Sequence, residues 1–173
     1  HVRHVALLAV KLFRALRDEH QLSSSHEVLL SVASLLYDVG RFINVRSLHK
    51  HSMYLIRNSE LFGLGRRDML MTALVARYHR RASPLPNHEG YGNLPREERV
   101  AVSKMAAMLR IAIALDETRS QRIKDFRCTI KENQLVVTIP NVHDLSMEQM
   151  SLKQARSLFE DVFGLRVVLR GTS

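Results

Sequence analysis

The strongest constraint on the fold is a change in the spacing of apolar residues late in the chain. Up to about residue 122, apolar residues recur every three or four positions, as they do in amphipathic helices. Residues 126–131 and 134–139 then alternate with a period of two, residues 146–163 return to helical spacing, and residues 165–170 resemble a third strand. The chain is therefore predicted to be a mostly α-helical bundle with a small C-terminal antiparallel β-sheet and one covering helix.

The same change suggests how the chain is organised. We expect a helical domain over residues 1–124 and a small α+β subdomain over 125–173, packed together as one structural unit. Because the chain starts at His1 rather than Met, we expect a fragment of a longer protein. No apolar run approaches the roughly 18 residues of a membrane span. The single cysteine, Cys128, excludes an internal disulfide, so a cytoplasmic location without a membrane partner is expected.

Three segments of the helical part have a clear helical pattern of apolar residues. Residues 2–19 are predicted to form the first helix, and a capping box of Ser24 with Glu27 is predicted to start the second. Residues 95–119 form the longest predicted helix, which is apolar nearly all round and therefore central. The inward face of the second helix is predicted to consist of Val28, Val32, Leu35, Leu36 and Val39, with Gly40 ending the helix.

Positive charge is concentrated in residues 41–81. The chain has 26 lysines and arginines against 17 acidic residues, and most of the surplus lies in this stretch. Arginine predominates there, and guanidinium groups match phosphate oxygens with paired hydrogen bonds. A solvated helical surface would give the same composition, so both interpretations stay open. The predicted anion-binding residues are Arg41, Arg46, His49, Lys50, His51, Arg77, Arg80 and Arg81, together with Arg110 from the central helix.

Four residues that could carry chemistry lie at the edges of apolar stripes on separate helices. They are His1, Asp38, His79 and Asp116. Histidine and aspartate drawn from different helices of a bundle can converge on a divalent metal ion, which prefers imidazole nitrogen together with carboxylate oxygen. The histidines in neither this set nor the anion-binding set, namely His4, His20, His26, His88 and His143, are predicted to lie at the surface.

The segments around these residues resemble the ordered motifs of the HD phosphohydrolase superfamily. The matching stretches are His1-x-x-x-Val-Ala, Leu-Leu-Tyr-Asp-Val-Gly at 35–40, Tyr-His-Arg-Arg at 78–81 and Arg-Ile-Ala-Ile-Ala-Leu-Asp at 110–116. In that superfamily the second motif is His-Asp, whereas here Tyr37 precedes Asp38. More specifically, residues 38–44, 48–56 and 109–123 resemble the C-terminal, HD-like domain of the exopolyphosphatase and guanosine pentaphosphate phosphohydrolase family.

This resemblance implies a bacterial hydrolase whose catalysis, with Mg²⁺, takes place in actin-like domains upstream of His1. The domain seen here is then expected to bind polyphosphate or a guanosine penta- or tetraphosphate, to contribute to a homodimer, and to carry no cofactor of its own. Nucleic acid is a weaker candidate partner because the basic stretch has few aromatic residues suited to base stacking.

Tyr37 decides between this function and a second one. A phenol with a pKa near 10 is a poor substitute for a histidine ligand, so a degenerate HD site is predicted. It consists of His1, Tyr37, Asp38, His79 and Asp116, with no assigned catalytic residue and no expected metal. If a metal is present, His1, Asp38 and Asp116 are its predicted ligands. The alternative is a stand-alone, metal-dependent HD phosphohydrolase that acts on nucleotides or phosphate esters.

Overall fold

The computed structural model describes residues 1–39, 50, 64–80 and 83–172 of the chain. The elements in this part are α1 (Val2–Ala15), α2 (Arg17–His20), α3 (Ser24–Leu36), α4 (Arg66–Arg77), α5 (Arg96–Leu115), β1 (Arg127–Lys131), β2 (Gln134–Pro140), α6 (Ser146–Phe163) and β3 (Arg166–Thr172). Helices dominate and a small sheet follows, so the predicted fold class is confirmed. The predicted helix end at Gly40 lies outside the described residues.

The sheet differs from the prediction in the direction of its third strand. The strand order is β1-β2-β3, and β1 pairs with β2 in antiparallel fashion through the Glu132-Asn133 turn. In contrast, β2 and β3 run parallel, with Gln134 opposite Arg166 and Pro140 opposite Thr172. A parallel pair requires a crossover that returns the chain to its starting end, and α6 is that crossover. The sheet is therefore mixed rather than wholly antiparallel.

Helix α5 is the centre of the molecule. It packs against α1, α3, α4 and α6, and most of its side chains are buried. Burial on all sides explains why its sequence is apolar nearly all round between Met105 and Leu115. A helix in this position holds the elements around it at fixed places, so its C-terminal end can position polar side chains for a site.

Helix α3 faces the core with a set of residues that matches the predicted one only in part. Leu29, Leu30, Ala33 and Ser34 are buried, whereas Val28 is 51% exposed and Leu35 is 41% exposed. Of the predicted residues, Leu36 and Val39 are partly buried and pack against the core. Both faces of this helix carry apolar residues, so spacing alone could not identify the inward one. Tyr37, just past the helix, is buried on the core side.

The helix boundaries in the N-terminal part also differ from the predicted ones. The first helix ends at Ala15, and the separate helix α2 follows it. The capping box of α3 consists of Ser23 and His26: His26 Nδ1 accepts a hydrogen bond from the Ser23 N–H at 3.2 Å. Glu27, predicted for this role, instead accepts a bond from Arg14 Nε at 2.8 Å. The predicted capping box of Ser24 with Glu27 is therefore wrong by one position.

His20 is a further correction, because it is completely buried rather than on the surface. Its Nε2–H donates to the carbonyl oxygen of Phe13 at 2.7 Å, and its Nδ1 accepts from the N–H of Leu22 at 2.9 Å. This arrangement requires the neutral imidazole, since a protonated ring has no nitrogen left to accept the Leu22 bond. Burial lowers the pKa of His20, and the nearby charges of Lys104 and Arg17 lower it further.

The chain is therefore expected to lose stability as the pH falls below about 6.5, the usual pKa of a histidine in an unfolded chain. Below that pH the unfolded chain binds a proton at position 20 that the folded chain does not, so the free energy of unfolding decreases until the pH reaches the lower folded pKa. Urea unfolding between pH 8 and pH 5 measures this slope. His20→Gln is expected to reduce it, whereas the exposed His143→Gln leaves it unchanged; equal slopes for all three proteins would contradict the assignment.

An ion pair between the exposed Arg122 and the buried Glu148 joins the segment after α5 to helix α6. Glu148, in the first turn of α6, is fully buried, and both of its carboxylate oxygens accept bonds from Arg122, at 2.6 Å from Nη2 and 3.1 Å from Nε. Arg122 Nη2 also donates to the carbonyl oxygen of Asp144 at 2.5 Å. The pair fixes α6 against the end of α5.

No helix in the described part of the chain is long and apolar enough to cross a membrane.

Candidate functional site

A cavity of ≈ 600 Å³ lies where α1 begins, α3, α4 and α5 end, and α6 passes over them. All five residues of the predicted degenerate site, which come from four separate helical regions, are among the residues that line it. The structure therefore brings together His1, Tyr37, Asp38, His79 and Asp116, although they lie up to 115 positions apart in the sequence.

The centre of the site is a chain of hydrogen bonds through His1. The Asp116 carboxylate can only accept, so His1 Nδ1–H donates to Asp116 Oδ2 at 2.7 Å. The opposite nitrogen of the neutral ring is then an acceptor, and the Tyr37 hydroxyl donates to His1 Nε2 at 2.9 Å. Asp116 and Tyr37 are 1% and 4% exposed. Tyr37 therefore holds the imidazole in place as a hydrogen-bond partner.

The loop after α5 supplies the second support for Asp116. Its Oδ1 accepts a bond from the backbone N–H of Gln121 at 3.0 Å, and its carbonyl oxygen accepts one from the N–H of Arg119 at 2.9 Å. Arg119 and Gln121 both have positive φ angles, 56° and 57°, which turn the chain back toward the carboxylate. One buried carboxylate thus fixes both the first residue of the chain and the loop that leaves the central helix.

The rings of His79 and Tyr37 line the cavity next to the C-terminal end of α4. His79 is 5% exposed, and its Nδ1–H donates to the carbonyl oxygen of Ala76 at 2.5 Å. Its ring lies 4.9 Å from that of Tyr37, centre to centre. The preceding residue, Tyr78, donates through its hydroxyl to His88 Nδ1 at 2.6 Å, and burial raises the pKa of Tyr78 to about 12. His88 therefore has a structural partner that the sequence did not reveal.

Arginines from three places in the chain line the cavity. Arg110 is 6% exposed, its Nε donates to the carbonyl oxygen of Tyr78 at 2.7 Å, and burial lowers its pKa. Arg80 is partly buried, and Arg119 is exposed at the rim. Arg80 and Arg110 were predicted as anion-binding residues, whereas Arg119 was not. A low-dielectric site strengthens the interaction of such groups with an anion.

The other predicted anion-binding residues are placed only in part. Lys50 is exposed, and Arg77 is partly buried with its guanidinium 5.5 Å from the centre of the Tyr78 ring. Neither is among the residues that line the cavity. The remaining predictions fall outside the described residues: Arg41, Arg46, His49, His51 and Arg81.

Helix α6 forms one wall of the cavity, and sequence reasoning missed it. Met147, Met150, Ser151 and Ala155 lie on this wall. Ser151 Oγ donates to Glu117 Oε2 at 2.9 Å across the cavity edge. The helix itself was predicted with the bounds observed, but its spacing does not show which surface of the bundle it covers.

His1, Asp38 and Asp116 are the ligands predicted for the case that a metal ion is present, and all three line the cavity. Within residues 1–39, 64–80 and 83–172, no three His, Cys, Asp or Glu side chains form a group that could hold one, and this includes His1, Asp38 and Asp116. Both ring nitrogens of His1 are occupied, one by Asp116 and the other by Tyr37. Arg80, Arg110 and Arg119 line the same cavity, together with the acidic residues Asp38, Asp116 and Glu117.

The chain is similar to several curated bacterial proteins. It is 28% identical over 114 residues to a guanosine-5'-triphosphate,3'-diphosphate pyrophosphatase from Pseudoalteromonas translucida, an alignment that covers 65% of this chain and 22% of the relative. A protein of the same name from Photobacterium profundum is 25% identical over 142 residues, or 81% of this chain and 27% of the relative. The aligned part is therefore about a quarter of each relative.

A family model covers nearly the whole chain. The model for domain III of the Ppx/GppA phosphatases matches residues 1–170, which include every residue placed along the cavity. The match spans both the helical part and the mixed sheet with its crossover helix. The chain belongs to the Ppx/GppA phosphatase domain III family.

Proposed function

We propose that this chain is a phosphate-binding domain of a Ppx/GppA-type phosphohydrolase, with an HD-like fold and with catalysis in upstream domains. The relatives named above extend well beyond the aligned region, which leaves room for such domains. The domain binds a phosphate-rich anion, either polyphosphate or a guanosine pentaphosphate of the kind named for the relatives, and contributes to a cytoplasmic homodimer. Mg²⁺ belongs to the upstream catalytic site.

One observation carries this proposal. Arg80 comes from the basic stretch and Arg110 from the central helix, and both line the cavity that holds the five residues of the degenerate site. The net charge of +9 adds a long-range attraction for polyanions over the whole surface. Tyr37 in place of a histidine, together with the bonded nitrogens of His1, favours a binding role over metal-dependent hydrolysis.

Charge reversal in the basic stretch is expected to weaken binding of polyphosphate. Arg80→Glu, Lys50→Glu and Arg46→Glu each remove a cation and add an anion, so each is expected to raise the Kd about tenfold at low salt. Each is also expected to reduce the slope of log Kd against log salt by about one unit, because fewer counterions are released. Titration at several salt concentrations measures both quantities.

The matched control for these variants is Lys131→Glu in the β1–β2 hairpin, which makes the same change in net charge away from the cavity. If Lys131→Glu weakened binding as much as Arg80→Glu, general charge attraction would explain the binding, and a defined site would not be needed. Equal displacement by single-stranded RNA would favour nucleic acid as the partner. A solution mass of one 19.9 kDa chain at all concentrations would contradict the homodimer for this domain.

The competing function, a metal-dependent HD phosphohydrolase, predicts a different result. It requires the purified chain to hold about one transition-metal ion and to release phosphate from nucleotides, with both properties lost in Asp38→Ala. Metal analysis and a phosphate-release assay on the same preparation decide the point. Positive results in both would overturn the proposal of a non-catalytic binding domain.

A further inference from the structure

We propose that residues 83–94 form a strap that is held over the buried Tyr78 by a hydrogen bond to His88, and that protonation of His88 opens the strap. The strap connects α4 to α5 and contains turns but no helix or strand. Tyr78 lies directly after α4 and is completely buried. This movement is independent of the proposed function.

The strap is folded tightly on itself. The N–H of His88 donates to the carbonyl oxygen of Leu85 at 3.0 Å, and the N–H of Gly92 donates to the carbonyl oxygen of His88 at 3.2 Å. Gly92 lies so close to the carbonyl oxygen of Pro86 that a Cβ atom at this position would collide with it. The strap therefore has a shape of its own, and its attachments to the helices decide where it lies.

Two tyrosines attach the strap to the helices. The Tyr78 hydroxyl donates to His88 Nδ1 at 2.6 Å, and the two rings stack with their centres 5.6 Å apart. Tyr91, within the strap, packs edge-on against Tyr78 at 5.8 Å, and its hydroxyl lies 3.1 Å from Ser103 Oγ on α5. Phenols and hydroxyls do not titrate near neutral pH, whereas an imidazole does. The attachment through His88 is therefore the one that a change in pH can break.

This attachment requires a neutral imidazole. The N–H of Leu85 also points at His88 Nδ1, at 3.3 Å, and a backbone N–H can only donate, so Nδ1 is an acceptor. Burial raises the pKa of Tyr78 to about 12, so its hydroxyl keeps its proton near neutral pH. A proton on Nδ1 would face the Leu85 N–H and would force the Tyr78 hydroxyl to turn its hydrogen into the protein interior, which is costly.

The charges around His88 also oppose its protonation in the closed strap. Its pKa is lowered by burial, by the guanidinium group of Arg77 on α4 and by the ammonium group of Lys50. Glu89 follows it within the strap. The open strap has the ordinary histidine pKa of about 6.5 and the closed strap a lower one. The closed state is therefore fully stable above about pH 6.5 and is lost as the pH falls toward the lower pKa.

Tyr78 also connects the strap to the cavity. Its carbonyl oxygen accepts a hydrogen bond from Arg110 Nε at 2.7 Å, and Arg110 lines the cavity together with His79, the residue that follows Tyr78. Opening of the strap would therefore uncover a side chain whose own backbone supports the cavity.

Amide hydrogen exchange of the 173-residue chain between pH 8 and pH 5, corrected for the intrinsic effect of pH on exchange, tests this inference. Exchange in the strap is expected to accelerate by up to about tenfold per pH unit below pH 6.5, the limit for one proton. His88→Asn places a carbonyl oxygen near the position of Nδ1 that takes up no proton, so its strap is expected to stay closed throughout. Tyr78→Phe removes the donor and is expected to speed exchange at every pH.

Two controls separate the strap from the rest of the molecule. His143→Asn changes an exposed histidine outside the strap and is expected to behave like the unmodified chain. The amides of α5 report unfolding of the whole chain, which His20 also makes dependent on pH, and they are expected to exchange more slowly than the strap.

Three outcomes would overturn the inference. The first is exchange in the strap that does not depend on pH. The second is a His88→Asn protein whose strap responds to pH as strongly as the unmodified one. The third is equal exchange rates in the strap and in α5, which would assign the effect to unfolding of the whole chain. The proposed function stands or falls separately, because no phosphate compound is present in these measurements.

Discussion

Replacing Arg122 by methionine is expected to lower the free energy of unfolding by about 3 kcal/mol. The change leaves the fully buried Glu148 carboxylate without the two hydrogen bonds that now compensate its charge. Thermal unfolding measures the loss, which corresponds to a decrease in Tm of about 6–12 °C for a chain of this size.

Two further variants distinguish the stabilisation by the Arg122–Glu148 pair from that of an ion pair between exposed side chains. Arg156→Met removes an ion pair with Glu160 on the same helix, where both side chains are partly exposed, and is expected to cost less than about 0.5 kcal/mol. The double variant Arg122→Met, Glu148→Met replaces the pair by apolar side chains and is expected to recover most of the loss. A loss for Arg122→Met no larger than that for Arg156→Met would show that water reaches Glu148.

Replacing Asp116 by alanine is expected to cost about 2 kcal/mol, because it leaves two partly buried donors without their acceptor. The donors are His1 Nδ1–H and the backbone N–H of Gln121. The change therefore releases the start of α1 and the loop that carries Arg119 together. Urea unfolding measures the cost, and the same protein is expected to bind phosphate ligands more weakly because Arg119 is no longer held at the rim.

The control for Asp116 is Asp125→Ala, an exposed carboxylate in the following loop that pairs with Lys11. It is expected to cost less than about 0.5 kcal/mol and to leave phosphate binding unchanged. Tyr37→Phe removes only the hydroxyl that bonds to His1 Nε2 and is expected to fall between the two, near 1 kcal/mol. If Asp116→Ala and Asp125→Ala were equally mild, the carboxylate would not organise the site.

The parts of the fold that sequence predicted well are those with one dominant apolar face. Helix α6 has the bounds expected from its spacing and from Gly164, whose φ of 68° ends it. The hairpin follows from period-two alternation and a turn at Glu132 and Asn133, both of which adopt positive φ. The inward face of helix α3 was predicted only in part, because its apolar residues nearly encircle it. Which side is buried depends on neighbours that are distant in sequence.

The site was predictable only as a set of residue types and spacings. Motif resemblance selected His1, Tyr37, Asp38, His79 and Asp116, and these residues do share one cavity. Spacing could not show that Tyr37 and Asp116 bond to opposite sides of the same imidazole, because that depends on the packing of α1 against α5. For the same reason the sequence did not predict that α6 forms a wall of the cavity, because this depends on how the sheet subdomain packs against the helices.

Helix α6 takes part in two structures at once, since it is the crossover between β2 and β3 and also a wall of the cavity. A molecule that enters the cavity therefore adds its binding free energy to the docking of α6 on the bundle. Occupancy should be visible at a distance, as slower amide hydrogen exchange along α6 and β3. The helical and sheet-containing parts differ in secondary structure, but because they share this helix we expect them to unfold together, in one cooperative transition.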